Sequence, residues 1–416
     1  MTPSLNACQK DAMKHLLGPE NIFLTGGAGS GKSHLVRHFL RENTGGFGGF
    51  RDIPILASTG AAAILVGGRT FHSFFGLGIM EGGFEKTLDK AVRNKRLVKR
   101  IKETEAIIVD EISMIPGQAL RTAEAIARHA RKDSRAWGGM RIIAVGDFSQ
   151  LPPVTRTGQE RDWAFKDSIW EKSEFTPAIL RSIVRTKDPE FLEVLNLVRH
   201  GEANDQVARF LTDRQTGSVE DFDGTLMFPH RRTTEEYNLS RLNKLPGKIH
   251  SLLTEYTGKP EHVENFRKNA PIPDVIRLKE GALVMIRQND PDGRWVNGTI
   301  GTVEDIGNEQ VQIELEDETS ISLAKTTFQL LDADGERVAS ATNFPLSLAY
   351  ATTIHKAQGS TLSRMWVDLR NLWEPGHAYV ALSRVRDRKS LFIAGWDRRS
   401  IMVDPEVVRF HNEIGA

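Results

Sequence analysis

Short runs of consecutive apolar residues alternate with stretches of helical periodicity through the first half of the chain. IFLT, IPILAS, AIIVDE and RIIAVGD read as strands, with helices predicted over Ser33 to Glu42 and Gln118 to Arg131. Strands spaced by helices imply a parallel sheet covered on both faces, an α/β architecture. A second series starts at Arg185 with TLMF, a helix around Thr233 to Lys244, VMIR, MWVDL and LFIAG. From about Gly281 to Leu331 the texture changes. ALVMIRQND, VNGTIGTVEDI, QVQIELED and TSISLA are short alternating runs split by Asp, Gly and Asn turns, which predict a small antiparallel β-barrel inserted into the second domain. The expected organisation is a first domain at 1–184 with a small insertion at about 70–100, a second at 185–280 and 340–416, and the barrel at 281–339. Gly45 to Gly49 and Gly82 to Gly83 read as loops.

Composition narrows the classes. A chain of 416 residues with net charge +1 suits more than one soluble domain and carries no uniformly basic surface, so nucleic-acid binding would need a local groove. Lys86 to Lys102 is the one basic stretch, and it reads equally as a solvated helix face or a phosphate contact. The single cysteine, Cys8, forbids an intrachain disulfide and fits a reducing interior. No membrane-length apolar run and no apolar leader is present, so a cytoplasmic protein is expected.

Chemistry enters at IFLTGGAGSGKSHL, where Gly26, Gly31, Lys32 and Ser33 satisfy G-x-x-x-x-G-K-[ST] after a strand. Gly26, Gly27, Gly29 and Gly31 let the backbone aim N–H groups at a phosphate, and the following helix adds positive potential. Lys32 is expected to reach the outer phosphates and Ser33 to ligate Mg2+. Ala28, Ser30 and His34 complete the nucleotide-binding set. Asp110 and Glu111 directly follow AIIV, where a parallel strand delivers acids to the ligand crevice. Asp110 would hold the metal with Ser33, and Glu111 would polarise a water for attack on the terminal phosphate. Gln150, in GDFSQLPP, would sense that phosphate through its amide.

The ordered motifs LNACQ, GGAGSGKS, ASTGAAA, RTFHSF, VDEISM, GDFSQLPPV, ATTIHKAQG and YVALSRVRD resemble superfamily-one DNA helicases, and more narrowly the PIF (petite integration frequency) family. The resemblance spans about Leu5 to Gly395, including AIARHARKDSRAWGGMRIIAVGDFSQLPP. Gln118, Ala136-Trp137 and Thr186 depart from the residues usual there. It implies two tandem RecA-like motor domains, a wedge in the 70–100 insertion, ATP as fuel, and 5′ to 3′ travel on single-stranded DNA. It also implies unwinding of duplexes and junctions, work on G-quadruplexes or RNA–DNA hybrids, and roles in replication, repair, recombination and telomere maintenance. By the same resemblance Gln9 reads adenine, Arg185 and Arg384 reach across the domain interface to the terminal phosphate, and Gln358 and Gly359 face ATP.

For the DNA track, Ser58, Thr59, Gly60, Thr70, Phe71 and His72 lie in small polar turns after strands, suited to phosphates. Phe71, Phe74 and Phe75 read alternatively as core, the favoured reading for at least one of them. The resemblance adds strand contacts at His72, His355, Lys356 and His230. A metal role for His355 is disfavoured by Lys356 beside it. A monomer is expected. A translocase that hydrolyses ATP without separating strands would share every one of these motifs, whereas a phosphotransferase or a non-catalytic module fits the paired acids and arginines poorly.

Overall fold

The computed structural model describes residues 4–43, 53–65, 68–78, 80, 82–155, 159–216, 219, 222–228, 231–290, 292–331 and 336–416. His230 and the Gly45 to Gly49 loop lie outside the described residues. The chain divides into two compact units, one of residues 1–185, 331–337 and 404–416, the other of 186–330 and 338–403.

The first unit holds β1 (Ile22–Gly26), β2 (Ile55–Ala57), β3 (Arg69–Thr70), β4 (Ala106–Val109), β5 (Arg141–Gly146) and β6 (Thr176–Leu180). They form one parallel sheet in the order β3-β2-β4-β5-β1-β6. Every residue of β1, β4 and β5 is buried, which is why these strands read as unbroken apolar runs rather than alternating ones. Because the strands run parallel, the residues after β1, β4 and β5 emerge at one edge of the sheet, where an α/β fold binds its ligand. The helices Lys32–Asn43 and Gly117–Arg131 fall within a residue of the expected bounds.

The 70–100 insertion is helical: Phe71–Phe75, Gly83–Arg93 and Lys95–Glu103. Asn94 caps the last helix, accepting from the amides of Arg96 and Leu97. Phe71, Phe74 and Phe75 are all core, with Phe71 0% exposed and packed on Phe75, which packs in turn on Trp137. Phe71 therefore has no ring face left for a base, and its expected strand contact is corrected.

The expected allocation of 340–416 to the second domain also needs correcting at its end. The helix Pro405–Ile414 clusters with the first unit, because Phe410 stacks on Phe165 at 4.5 Å and also meets Phe23, Phe148 and Trp170. Trp163 Nε1 donates to Asp404 Oδ2 at 2.9 Å where that segment begins.

The second unit contains a four-stranded parallel sheet in the order Ala351–Thr353, Thr225–Phe228, Met365–Asp368, Leu391–Gly395. VMIR belongs elsewhere. Leu283–Ile286 lies in a five-stranded antiparallel sheet with Ile300–Ile306, Gln310–Leu315, Ser320–Ala324 and Leu346–Leu348. Alternate residues of these strands, among them Val303, Val311, Ile313, Ile321 and Leu323, enter one core with Val284 and Leu346. The expected barrel over 281–339 is thus redrawn: Thr326–Leu331 leaves it to join Arg337–Asn343 and Glu255–Gly258 in a separate sheet, and Leu346–Leu348 supplies its edge. No helix among the described residues is long and apolar enough to cross a membrane.

Candidate nucleotide and nucleic-acid sites

The loop after β1 takes positive φ at Gly26, Gly29 and Gly31, but not at Gly27. Space adds to this demand. A Cβ on Gly26 would lie 2.5 Å from the Leu180 carbonyl oxygen and one on Gly29 2.5 Å from Arg185 Cβ, while one on Gly31 would displace the end of the Gln9 side chain, 2.4 Å away at Nε2. Arg185 is therefore a residue of the first unit, its amide donating to the Gly29 carbonyl at 3.2 Å, rather than an arginine delivered from the second domain.

Gln9 is a brace in this structure. Its Oε1 accepts from the Asn6 amide at 3.1 Å in a capping box, and its Nε2 donates to the Ser30 carbonyl at 3.3 Å. Reading an adenine edge with both amide atoms would require it to exchange these partners.

Lys32 Nζ folds back on the loop, donating to the carbonyls of Gly26 at 2.7 Å and Gly27 at 3.3 Å. Ser30 Oγ, beside Gly26 in the loop, and Thr25 Oγ1, in β1, are buried with no hydrogen-bond partner among the described residues. Buried polar atoms are costly unless bonded, so the unanswered Ser30 hydroxyl in this glycine-rich loop fits an oxyanion ligand. Ala28 is buried, His34 half-buried, and Ser33 exposed at the start of its helix. His34 and His38, one turn apart, have ring centroids 6.4 Å apart, but His38 pairs with Glu42, and no group of three potential metal ligands exists among the described residues.

After β4, loss of hydration pushes the Asp110 carboxyl above its ordinary range, while the Glu111 amide, 3.0 Å from Asp110 Oδ1, and the Lys32 ammonium draw it down. That the Lys32 charge is felt there puts the acid beside the loop. Glu111 is held at φ 51°, the left-handed region, where a non-glycine residue is strained. After β5, Gln150 is buried and its Nε2 donates to Asp147 Oδ2 at 3.5 Å. The same turn is met by the C-terminal helix: His411 Nε2 lies 3.9 Å from Asp147 Oδ1, and its Nδ1 3.4 Å from Ser149 Oγ. Asp147 lies within the GDFSQLPP motif, but its partner His411 carried no sequence signal, lying 262 residues beyond Ser149.

Ser58 donates to Met114 Sδ at 3.6 Å, and Thr59 Oγ1 accepts from the Ala62 amide at the start of the helix Gly60–Leu65. Thr70 caps Phe71–Phe75 by accepting from Ser73 N at 3.0 Å. His72, its basicity lowered by burial, lines a cavity of about 390 Å³ with Ser73, Lys90 and Asn94. The basic stretch divides: Arg100 donates to the Phe74 carbonyl at 2.6 Å and braces the insertion, while Lys86, Lys90, Lys95 and Arg96 are exposed.

In the second unit, Thr353 caps the helix Ile354–Ala357, which exposes His355 and Lys356. Gln358 Nε2 is buried with no partner among the described residues, and Gly359 has φ 79°. Arg384 is 1% exposed, with Nε on Val380 O at 2.7 Å, Nη1 on Ala357 O at 3.2 Å and Nη2 on Ser383 Oγ at 2.6 Å. The guanidinium thus joins the helix carrying His355 to the helix His377–Leu382.

A family model described as PIF1-like helicase matches residues 4–209. The chain is similar to the ATP-dependent DNA helicase Pif1 of Bdellovibrio bacteriovorus, 50% identical over 97% of this chain and 91% of that one. It is 32% identical to the ATP-dependent DNA helicase PIF1 of Xenopus laevis over 99% of its own length, and spans 64% of that longer protein. Among solved structures, Bacteroides Pif1 in complex with ADP-AlF4 has a TM-score of 0.84 at 26% identity, covering 99% of this chain and 97% of that one. Bacteroides Pif1 bound to single-stranded DNA has a TM-score of 0.67 at 26% identity, with coverage of 99% and 97%.

Proposed function

The chain belongs to the PIF1-like helicase family, and from that premise we propose that it is an ATP-dependent DNA helicase that tracks 5′ to 3′ along a single strand and opens duplex ahead of it. The observation that carries the reading is the Lys32 ammonium, poised on the phosphate loop within electrostatic reach of Asp110.

ATP binds with its phosphates on the amides of Gly27 to Ser33, the Ser30 hydroxyl answered by a phosphate oxygen and Lys32 transferred from the loop carbonyls to the outer phosphates. Ser33 and Asp110 would hold Mg2+, which would neutralise charge at the phosphates. Glu111 orients the attacking water. Gln150 registers the terminal phosphate and passes that state to the Asp147–His411 turn. Arg185 contributes from beside Gly29, and Arg384 acts as the arginine of the second unit, leaving its own-unit carbonyls to reach the transition-state charge.

The single strand is gripped by Ser58, Thr59, Gly60, Thr70 and His72 on one unit and by His355 and Lys356 on the other, and the 70–100 helices separate the strands. The similar Bacteroides Pif1 structures, one with single-stranded DNA and one with ADP-AlF4, support this pairing of ligands. The protein works as a monomer in the cell interior, and its substrates extend to G-quadruplexes and RNA–DNA hybrids.

The test is ATP turnover with and without an unstructured oligonucleotide. Turnover stimulated by the strand supports the reading, and turnover indifferent to DNA removes it.

A further inference from the structure

Three rings of the second unit form a ladder that starts at His355 and runs beyond the strand contacts named above. His377 meets His355 edge-on, with centroids 5.4 Å apart at 82°, and meets Trp373 edge-on at 5.3 Å and 85°. The two outer members are open to solvent: His355 is exposed, and Trp373 is 49% exposed, unusual for the largest apolar side chain. The middle member is the opposite. His377 is 1% exposed, and neither of its ring nitrogens has a hydrogen-bond partner among the described residues.

His377 is closed off from solvent between the two open rings, so it holds their orientation and does not itself reach a ligand. The exposed indole beside it suits a ligand with a flat face. A nucleobase offers that π face, and Lys356 next to His355 supplies a cation for the adjoining phosphate.

We propose that Trp373 is a base-stacking residue for single-stranded nucleic acid, with the buried His377 ring fixing the orientation of the indole. The inference rests on the DNA-binding reading above and extends its strand contact beyond His355 and Lys356. Stacking of this kind tolerates any base, as a motor that moves over all sequences requires. The ladder also stands on the two helices that Arg384 joins, so a base seated there touches the elements that position the arginine.

The experiment is an anisotropy titration of labelled oligothymidylate and of an abasic strand of equal length with the wild type, Trp373→Ala and Trp373→Phe. Trp373→Ala is expected to weaken oligothymidylate binding about tenfold, and Trp373→Phe to restore most of it. The abasic strand, with no base to stack, is expected to bind all three proteins alike. Oligothymidylate binding by Trp373→Ala equal to wild type, or an equal loss on both strands, overturns the proposal. A wild type that binds neither strand would instead refute the DNA-binding reading itself.

Discussion

Arg384 Nη1 donates to the carbonyl of Ala357 at 3.2 Å, tying the arginine assigned to the fuel to the helix that carries His355 and Lys356. The guanidinium's planar fork serves both Val380 and Ala357, which a single ammonium cannot reproduce. Arg384→Lys is therefore expected to lower kcat by about a hundredfold or more, with ATP binding kept within a few-fold. Steady-state turnover and nucleotide binding, measured side by side, check this. Unchanged kcat would remove Arg384 from the reaction.

Glu111 sits strained beside Asp110 at the end of β4, and its carboxylate is assigned to the attacking water. Glu111→Gln keeps the shape and removes the charge. It is expected to retain ATP and DNA binding while turnover falls by at least about a hundredfold. Normal hydrolysis in this variant would remove the assignment.

Gly31 has both a positive φ, 89°, and Gln9 Nε2 where a Cβ would stand. Gly31→Ala is expected to cost about 1–3 kcal/mol and to weaken nucleotide binding, because alanine is strained at that φ and its methyl group displaces Gln9 Nε2 from the loop. Thermal melting and a nucleotide titration report the two effects.

His377 sets a pH dependence. Its basicity falls from 6.5 to about 4, first through burial and then through His355. Once unfolded, the ring takes up a proton below about 6.5 that the folded protein resists until about 4. Its stability contribution is thus complete above pH 6.5 and is lost as pH falls to 4, by at most about 3 kcal/mol. Melting temperature should drop across that window, and His377→Phe should flatten the slope. His355, exposed as a residue but with its ring partly desolvated against His377, is lowered in the same direction with Glu374 opposing, and adds a smaller slope of the same sign.

The parallel strands were legible because burial on both faces makes them mostly apolar, with few polar exceptions such as Thr25 and Arg141, and the phosphate loop because its glycines are needed for φ and for space. The C-terminal helix was misallocated since nothing local in PEVVRFHNEI names Phe165 or Phe23 as the partners of Phe410. The antiparallel region was seen as alternation, yet alternation fixes which face is buried and not which strand lies beside it, so Thr326–Leu331 was placed in the wrong sheet. Arg185 was recognised by its motif, but its closeness to Gly29 is visible only in the folded loop. Trp373 and His377 were overlooked because each, read singly, is an ordinary aromatic near a helix start.

The central claim is coupling of ATP hydrolysis to directional strand separation. It is tested most directly with two labelled duplexes, one bearing a 5′ single-stranded tail and one a 3′ tail, with ATP consumption followed in the same reactions. The account predicts ATP consumption with opening of the 5′-tailed duplex alone. ATP consumed on single strands while neither duplex opens would contradict it and leave a translocase that does not unwind.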